Sequence, residues 1–413
     1  MTAHISRLRT EAETALGAQF DALGAKGARA DAFKIFAAQG LPSRRDEAWH
    51  YTDLRAALKH AAPVVVAPDA ARLQAAEAAL AGLPRVGVTR LVMVDGHYAP
   101  GLSDRTPKGV TVALGEAAPE SSDALLALNT AFAPATLGVE IGADAGPVSL
   151  ELVHLDGPGA IYARITLTAP PGAAVTMFER FEGATAQTQR NAVAVVDLAD
   201  GAACDWTTLV ADDAALHLEA PIARLGEAAQ FVNFALVCGP RLARRQIDAR
   251  QTGPAAKIAL NGLSLIDGAR HADTTLTVRH SAPHGTSREF FRHIVAGDGV
   301  GVYQGKVIVD PYAQKTDGGM KSQALLLSPT AQMNNKPELE IFADDVVCGH
   351  GATVAALDPE QRFYLEARGI PKAEAEAMLL EAFGIEALER VADATAREIL
   401  VERLRAWLKR RVA

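Results

Sequence analysis

Cysteine is nearly absent from this chain, with three residues in 413: Cys204, Cys238 and Cys348. Three thiols cannot all pair, and so sparse a set excludes a disulfide framework and points to a reducing compartment. Aromatic residues are scarce as well, at 5%, which argues against the exposed ring platforms of a sugar-binding face. There is no excess of positive charge either. At a formal net charge of -8 the chain lacks the concentrated basic footprint that nucleic-acid phosphates require. The three arginines Arg241, Arg244 and Arg245 cluster, but a solvated edge accounts for them. No apolar run approaches the length of a membrane span, and the first twenty residues lack the continuous apolar core of a signal peptide. The cytoplasm is the expected compartment.

Several familiar motifs are also missing. Gly297-Asp298-Gly299-Val300-Gly301 is followed by a strand pattern where a dinucleotide loop needs a helix to receive the pyrophosphate. Gly305-Lys306 continues into Val307 rather than Ser or Thr, so any ATP hydrolysis must come from a partner. No Gly-x-Ser-x-Gly elbow supports an acyl-transfer triad. His280 and His284 are four apart, but Pro283 and Gly285 deny them a shared helix. With His271 and His293 they form either a histidine-lined surface or solvated or stacked residues in successive coils.

What is present is organised in three stretches. Residues 1–133 read as a mainly helical domain. Ile5, Leu8, Ala12, Leu16 and Phe20 recur at helical spacing, Phe33, Ile35 and Phe36 start a second helix, and an Ala-rich helix runs to about Leu83. Leu91–Val94 and His97-Tyr98 read as strand, turn and strand, and Ser122–Phe132 as another helix. Between the first helices lies the charged segment Pro42–Leu54 with Trp49, either docking an aromatic pair on a neighbouring domain or serving as an interaction site.

Residues 134–357 change character: helical periodicity gives way to strands separated by corners at Gly172, Gly201, Gly226 and Gly253, which are 29, 25 and 27 residues apart. Short strands launched from small-residue corners at a fixed period predict a stacked β-solenoid, a mainly β fold whose terminal edge must be covered or paired. Residues 358–413 return to helix. Glu360–Arg368 is closed by Gly369, Pro371 opens a helix ending at Gly384, and a last helix carries Leu388, Val391, Ile399, Leu400, Leu404, Trp407 and Leu408 on an apolar face that must pack on the solenoid or on another protein.

Near the end of the solenoid, Pro337–Thr353 holds the one constellation that carries metal chemistry. Cys348 and His350 stand two apart in a strand pattern, so a thiol and an imidazole share one face. Those are ligands for iron, zinc or an iron–sulfur cluster; the plain alternative is a packed cysteine. The glycines beside them, Gly349 and Gly351, mark a place where another backbone or a bound group comes close.

Together with Pro42–Leu54, Tyr303-Gln304-Gly305-Lys306, Gln314–Asp317, Lys336–Ile341, Ala343–Thr353 and Phe363–Ile370, these blocks span most of the chain. In them the sequence resembles the SufB/SufD family of iron–sulfur cluster assembly proteins, on its SufD side. The resemblance implies a right-handed parallel β-helix flanked by helical regions, and work as a non-catalytic scaffold rather than as an enzyme. It implies pairing with a SufB-like subunit through the β-helices and recruitment of a SufC-like ATPase through the C-terminal helices, where Phe363, Tyr364, Leu365, Arg368 and Gly369 are the candidate contacts. It leaves room for a homodimer of the isolated chain. The resemblance makes His350, with Cys348 as companion, a candidate ligand for iron or a transient cluster shared with the SufB-like partner, and it admits a reduced flavin in the complex. Two departures stand out: the chain lacks the cysteine-rich N-terminal segment of SufB-like proteins, and Gly349 stands where the family often has serine. Other readings are a β-solenoid lyase or acyltransferase acting on sugars and a purely structural homodimer that docks the ATPase.

Overall fold

The computed structural model describes residues 8–118 and 123–412. Strands of eight to eleven residues, alternating inward and outward side chains, follow one another from Val148 to Ala355 with only short corners between them. None of these strands folds back on its immediate successor as a hairpin would; each pairs in parallel with the next strand but one, the strand between supplying the long crossover that a parallel pair requires, and two sheets grow side by side. One has ten strands, from Thr89–Val94 with the short His97–Tyr98 beside it to Val347–Ala355; the other has nine, from Val110–Gly115 to Gln332–Ile341. All pairs are parallel except two at the N-terminal end, where His97–Tyr98 meets Thr89–Val94 and Val110–Gly115 meets Thr136–Ile141. Leu216 stands in register with Leu242, Asp317 with Val347 and Val300 with Gln332, so a coil takes 26 to 32 residues. The result is a parallel β-solenoid of about eight turns with helices at both ends.

Inward side chains such as Leu152, Ile165, Met177, Trp206, Phe231, Leu260 and Val307 stack along the lumen into one continuous core. The two helical regions cover opposite outer faces. Helices Glu11–Leu23, Ala28–Gln39 and Ala124–Phe132 lie on the nine-stranded sheet through Phe20, Phe36 and Phe132 against Tyr162, Leu216 and Leu218. Helices Lys372–Leu388 and Ala394–Val412 lie on the ten-stranded sheet, with Leu400, Leu404, Trp407 and Leu408 against Leu236, Leu263, Leu265 and Ile294. The apolar face of the last helix is therefore covered by its own solenoid.

The corners are more regular than their glycines. Left-handed backbone recurs at Gly172, Gly201, Ala228, Ala255, His284 and Lys315, at intervals of 29, 27, 27, 29 and 31. Each of these residues donates its N–H to the carbonyl just before the equivalent position one coil on, Gly172 to Asp200, Ala228 to Pro254, His284 to Gln314 and so to Lys315 onto Asp345. Gly226 and Gly253 are not the turning residues. They lie two positions earlier, where coils touch: a Cβ on Gly253 would run into the backbone of Glu227. Ala296–Gly299 breaks the period because it forms a corner on the opposite edge, joining Thr286–Val295 to Val300–Val309.

Other expectations need correction. The helix opened by Pro371 does not end at Gly384 but runs to Leu388. Gly384 is the crossing point, since a Cβ there would come within 2.6 Å of Leu404. Arg244 and Arg245 are not on a solvated edge; both are buried, Arg244 ion-paired to Asp273 and Arg245 to Glu219 at 2.9 Å. The four histidines form no common surface: His280 and His293 are fully buried, while His284 is exposed at its corner. Leu8 precedes the first helix and is exposed, and Ile5 and Ser122 lie outside the described residues.

Candidate functional site

The solenoid stops without a lid. Strand Val347–Ala355 is hydrogen-bonded to Asp317–Leu326 on one side, strand Gln332–Ile341 to Val300–Val309, and among the described strands neither has a neighbour on its other side. The last coil is tied down at its corner, where Lys315 pairs with Asp345, the Asp345 N–H donates to Gln314 Oε1 at 2.9 Å, and the Val347 N–H donates to the Thr316 carbonyl. Two backbone ladders thus end in unpaired N–H and C=O groups, flanked by exposed Phe342, Val347 and Val354. An edge of this kind is a template for another chain.

Cys348 and His350 sit on this last strand, in register with Gly318 and Met320 of the strand beneath. Gly318 lacks the side chain that would separate the layers, and a Cβ there would lie 3.4 Å from Cys348 Sγ and 3.5 Å from Ser287 Oγ. The thiol therefore points into the mouth of the lumen. It is half-buried and packs on the lumen core, and burial pushes its pKa up. It is a thiol, not a thiolate, until a metal or a base takes its proton. His350 is exposed, and its ring makes no hydrogen bond among the described residues. An imidazole with open nitrogens is a competent ligand for iron. No three His, Cys, Asp or Glu side chains of the described residues converge to hold a metal ion.

Below the thiol the lumen turns polar in a way the sequence pattern conceals. Ser287 Oγ, both carboxyl oxygens of Glu289, both ring nitrogens of His293, His280 Nε2 and the Tyr303 hydroxyl are all buried without a hydrogen-bond partner. Burial raises the Glu289 pKa to about 8, and lowers those of His280 and His293 to about 4 and about 3. All three are neutral at pH 7. Strand Thr286–Val295 mixes polar and apolar residues on both faces, Ser287, Glu289, Phe291 and His293 inward and Arg288, Phe290, Arg292 and Ile294 outward. Alternation alone could not have told lumen from surface. The usable signal was the buried carboxylate type at an inward position of a strand with known register.

On the C-terminal side, helix Pro359–Glu366 carries Phe363 and Tyr364, exposed by 70% and 56%. The Arg368 guanidinium lies 3.5 Å from the Tyr364 ring centroid, Leu365 is half-buried, and Gly369 takes the left-handed conformation that ends the turn. This helix is linked to the solenoid through Lys372–Leu388, whose Phe383 carbonyl accepts from Arg292 at 2.6 Å and whose Glu386 pairs with the same arginine. On the other face, Pro42–Leu54 docks on the nine-stranded sheet. Trp49 is buried with the Arg244 guanidinium 3.8 Å from its ring centroid, and Arg244 and Gln304 both donate to the Ala48 carbonyl. Of the aromatic pair only Trp49 is buried in the docking; His50 is exposed. Among the described residues no helix is long and apolar enough to cross a membrane.

Comparison with known proteins agrees with this architecture. Residues 153–383 match the family model described as "SUF system FeS cluster assembly, SufBD core domain", and residues 8–144 match "SufBD protein N-terminal region". The chain is 29% identical over 391 residues to the iron–sulfur cluster assembly protein SufD of Escherichia coli, covering 88% of this chain and 89% of that protein. It is 29% identical over 384 residues to an iron–sulfur cluster assembly SufBD family protein of Synechocystis, covering 85% and 84%. A SufBD family protein of Mycobacterium bovis is 27% identical over 382 residues, covering 90% and 88%.

Proposed function

This chain belongs to the SufBD family of iron–sulfur cluster assembly proteins, and from that premise we propose that it is the non-catalytic, SufD-like scaffold subunit of a cytoplasmic cluster-assembly complex. The observation that carries the reading is the open end of the solenoid, which exposes His350 on its last strand beside the lumen-facing Cys348. A SufB-like β-helix covers that end, and iron and sulfide, the substrates, are held by ligands from both chains. His350 supplies a neutral nitrogen. Cys348 supplies sulfur once its proton is displaced, or remains a packing residue. In isolation a second copy takes the partner's place and gives a homodimer.

A SufC-like ATPase docks on the C-terminal helices through Phe363, Tyr364, Leu365, Arg368 and Gly369. Its conformational work reaches the open end through the Arg292 contacts with Phe383 and Glu386, because Arg292 stands in the strand two places from the edge. A reduced flavin belongs to this reading as electron donor to the assembled complex. The division into residues 1–133, 134–357 and 358–413 assigns bracing, pairing and ATPase docking to successive parts of the chain.

The test is co-expression with SufB-like and SufC-like partners, followed by assay of iron and acid-labile sulfide in the purified complex. His350→Ala is expected to lower both at least tenfold while the three chains still co-purify; normal loading by that variant removes the ligand role. Cys348→Ser separates ligand from packing, since a ligand loses metal and a packing residue keeps it. Phe363→Ala with Tyr364→Ala is expected to lose the ATPase subunit alone.

A further inference from the structure

A cleft of about 1030 Å³ runs between the segment from Arg44 to His60 and the nine-stranded sheet. Along its floor lie Gln189, Leu216, Leu242, His271, Val300 and Gln332, one from each of six consecutive strands of that sheet. Five strand spacings make it about 24 Å long. The cleft reaches the edge strand Gln332–Ile341 and so opens at the uncovered end of the solenoid.

Its charge is opposite in sign to that of the protein. Arg44, Lys59 and Arg241 line it, all exposed and, among the described residues, none paired with a carboxylate. Among the described residues the one acidic side chain on the wall is Asp53, which accepts from the Ala56 N–H at 2.9 Å. The floor is firm, because His271 Nε2 and Thr52 Oγ1 are 2.8 Å apart and Thr52 is tied to buried Asp273. The cations do not converge on one point. Lys59 precedes His60, whose carbonyl accepts from Gln189; Arg241 precedes Leu242; Arg44 acts on His271. Those three levels are separated along the solenoid by about 14 Å. A single phosphate or pyrophosphate needs its cations gathered into one fork. Charges strung out along an open trough match an extended chain, in which about seven residues span 24 Å and alternate side chains face the same way.

We propose that this cleft is a docking groove for an extended acidic peptide segment of another protein, whose carboxylates lie against Lys59, Arg241 and Arg44 in turn. The inference is independent of the ligand role of His350 and of the proposed assembly.

The probe is a fluorescein-labelled eight-residue peptide alternating glutamate and serine, titrated with the full chain and followed by fluorescence anisotropy at 50 mM and 300 mM salt. Saturable binding is expected at low salt, weakened at high salt as for an exposed charged surface. Arg44→Glu and Arg241→Glu are each expected to weaken it at least tenfold, and the milder Arg44→Gln about threefold, with thermal unfolding unchanged. Lys409→Glu, on the remote last helix, leaves binding intact. Absence of saturable binding, equal binding by the Arg44 and Arg241 variants, or equal binding of a control peptide alternating lysine and serine overturns the proposal. So does competition in which inorganic tripolyphosphate binds with the same variant dependence and the glutamate peptide does not, an outcome that makes the cleft a small-anion site.

Discussion

Burial under the last coils keeps the Glu289 carboxyl neutral up to about pH 8 in the folded chain, whereas in the unfolded chain it ionises near the ordinary glutamate value of 4.5. Between those two values the folded state binds a proton that the unfolded state has released, so stability falls as pH rises through that window and levels above it. Glu289→Gln removes this dependence. The variant is expected to melt with the native chain at pH 4.5 and about 5 °C above it at pH 8.5, measured by calorimetry; equal melting at both values would mean that the carboxyl is solvated. The residue also marks the limit of what could be read from sequence. Cys348 and His350 could be singled out as candidates because residues two apart in a strand share a face and this pair combines a thiol with an imidazole, although packing accounts for the cysteine equally well. Glu289, His293 and Tyr303 could not, because their burial follows from a register set by coils on either side. Arg244 and Arg245 misled for the same reason: their partners Asp273 and Glu219 lie 29 and 26 residues away, one coil on and one coil back.

At the level of the element, the corner decides whether one coil can lie on the last. Ala228, Ala255, His284 and Lys315 hold left-handed backbone without being glycine, at a cost of about 1 kcal/mol each, offset by the hydrogen bond each sends to the next coil. Gly253 is constrained differently, by contact with Glu227. Gly253→Ala is expected to destabilise by about 3 kcal/mol, seen in urea unfolding, whereas Gly172→Ala at an open left-handed corner costs about 1 kcal/mol; the reverse order would refute the contact account. Sequence reading found the period because small residues gather at corners. It misplaced two turns by two residues because glycine serves two separate needs there. It also ended a helix at Gly384, where a glycine usually signals a stop, although Leu404 requires a missing side chain in mid-helix.

For the whole molecule, the two helical regions brace the flanks of the solenoid and leave its C-terminal end bare. Val354 is 46% exposed on the last strand and Val347 72%, so the isolated chain is expected to self-associate through this end. Val354→Lys, placing charge on the edge, should shift light-scattering mass from dimer toward monomer; an unchanged dimer would locate the contact elsewhere. The strands of the solenoid proper all run parallel to their neighbours, and this fixes the grammar of any such meeting. Turn a second solenoid to face the first end-on, and each of its strands at the seam points the opposite way. The seam is therefore antiparallel where the interior of each stack is parallel, and it consumes the bare C-terminal end of each molecule. Growth through that seam stops at two: once the C-terminal ends face each other, neither can receive a third copy.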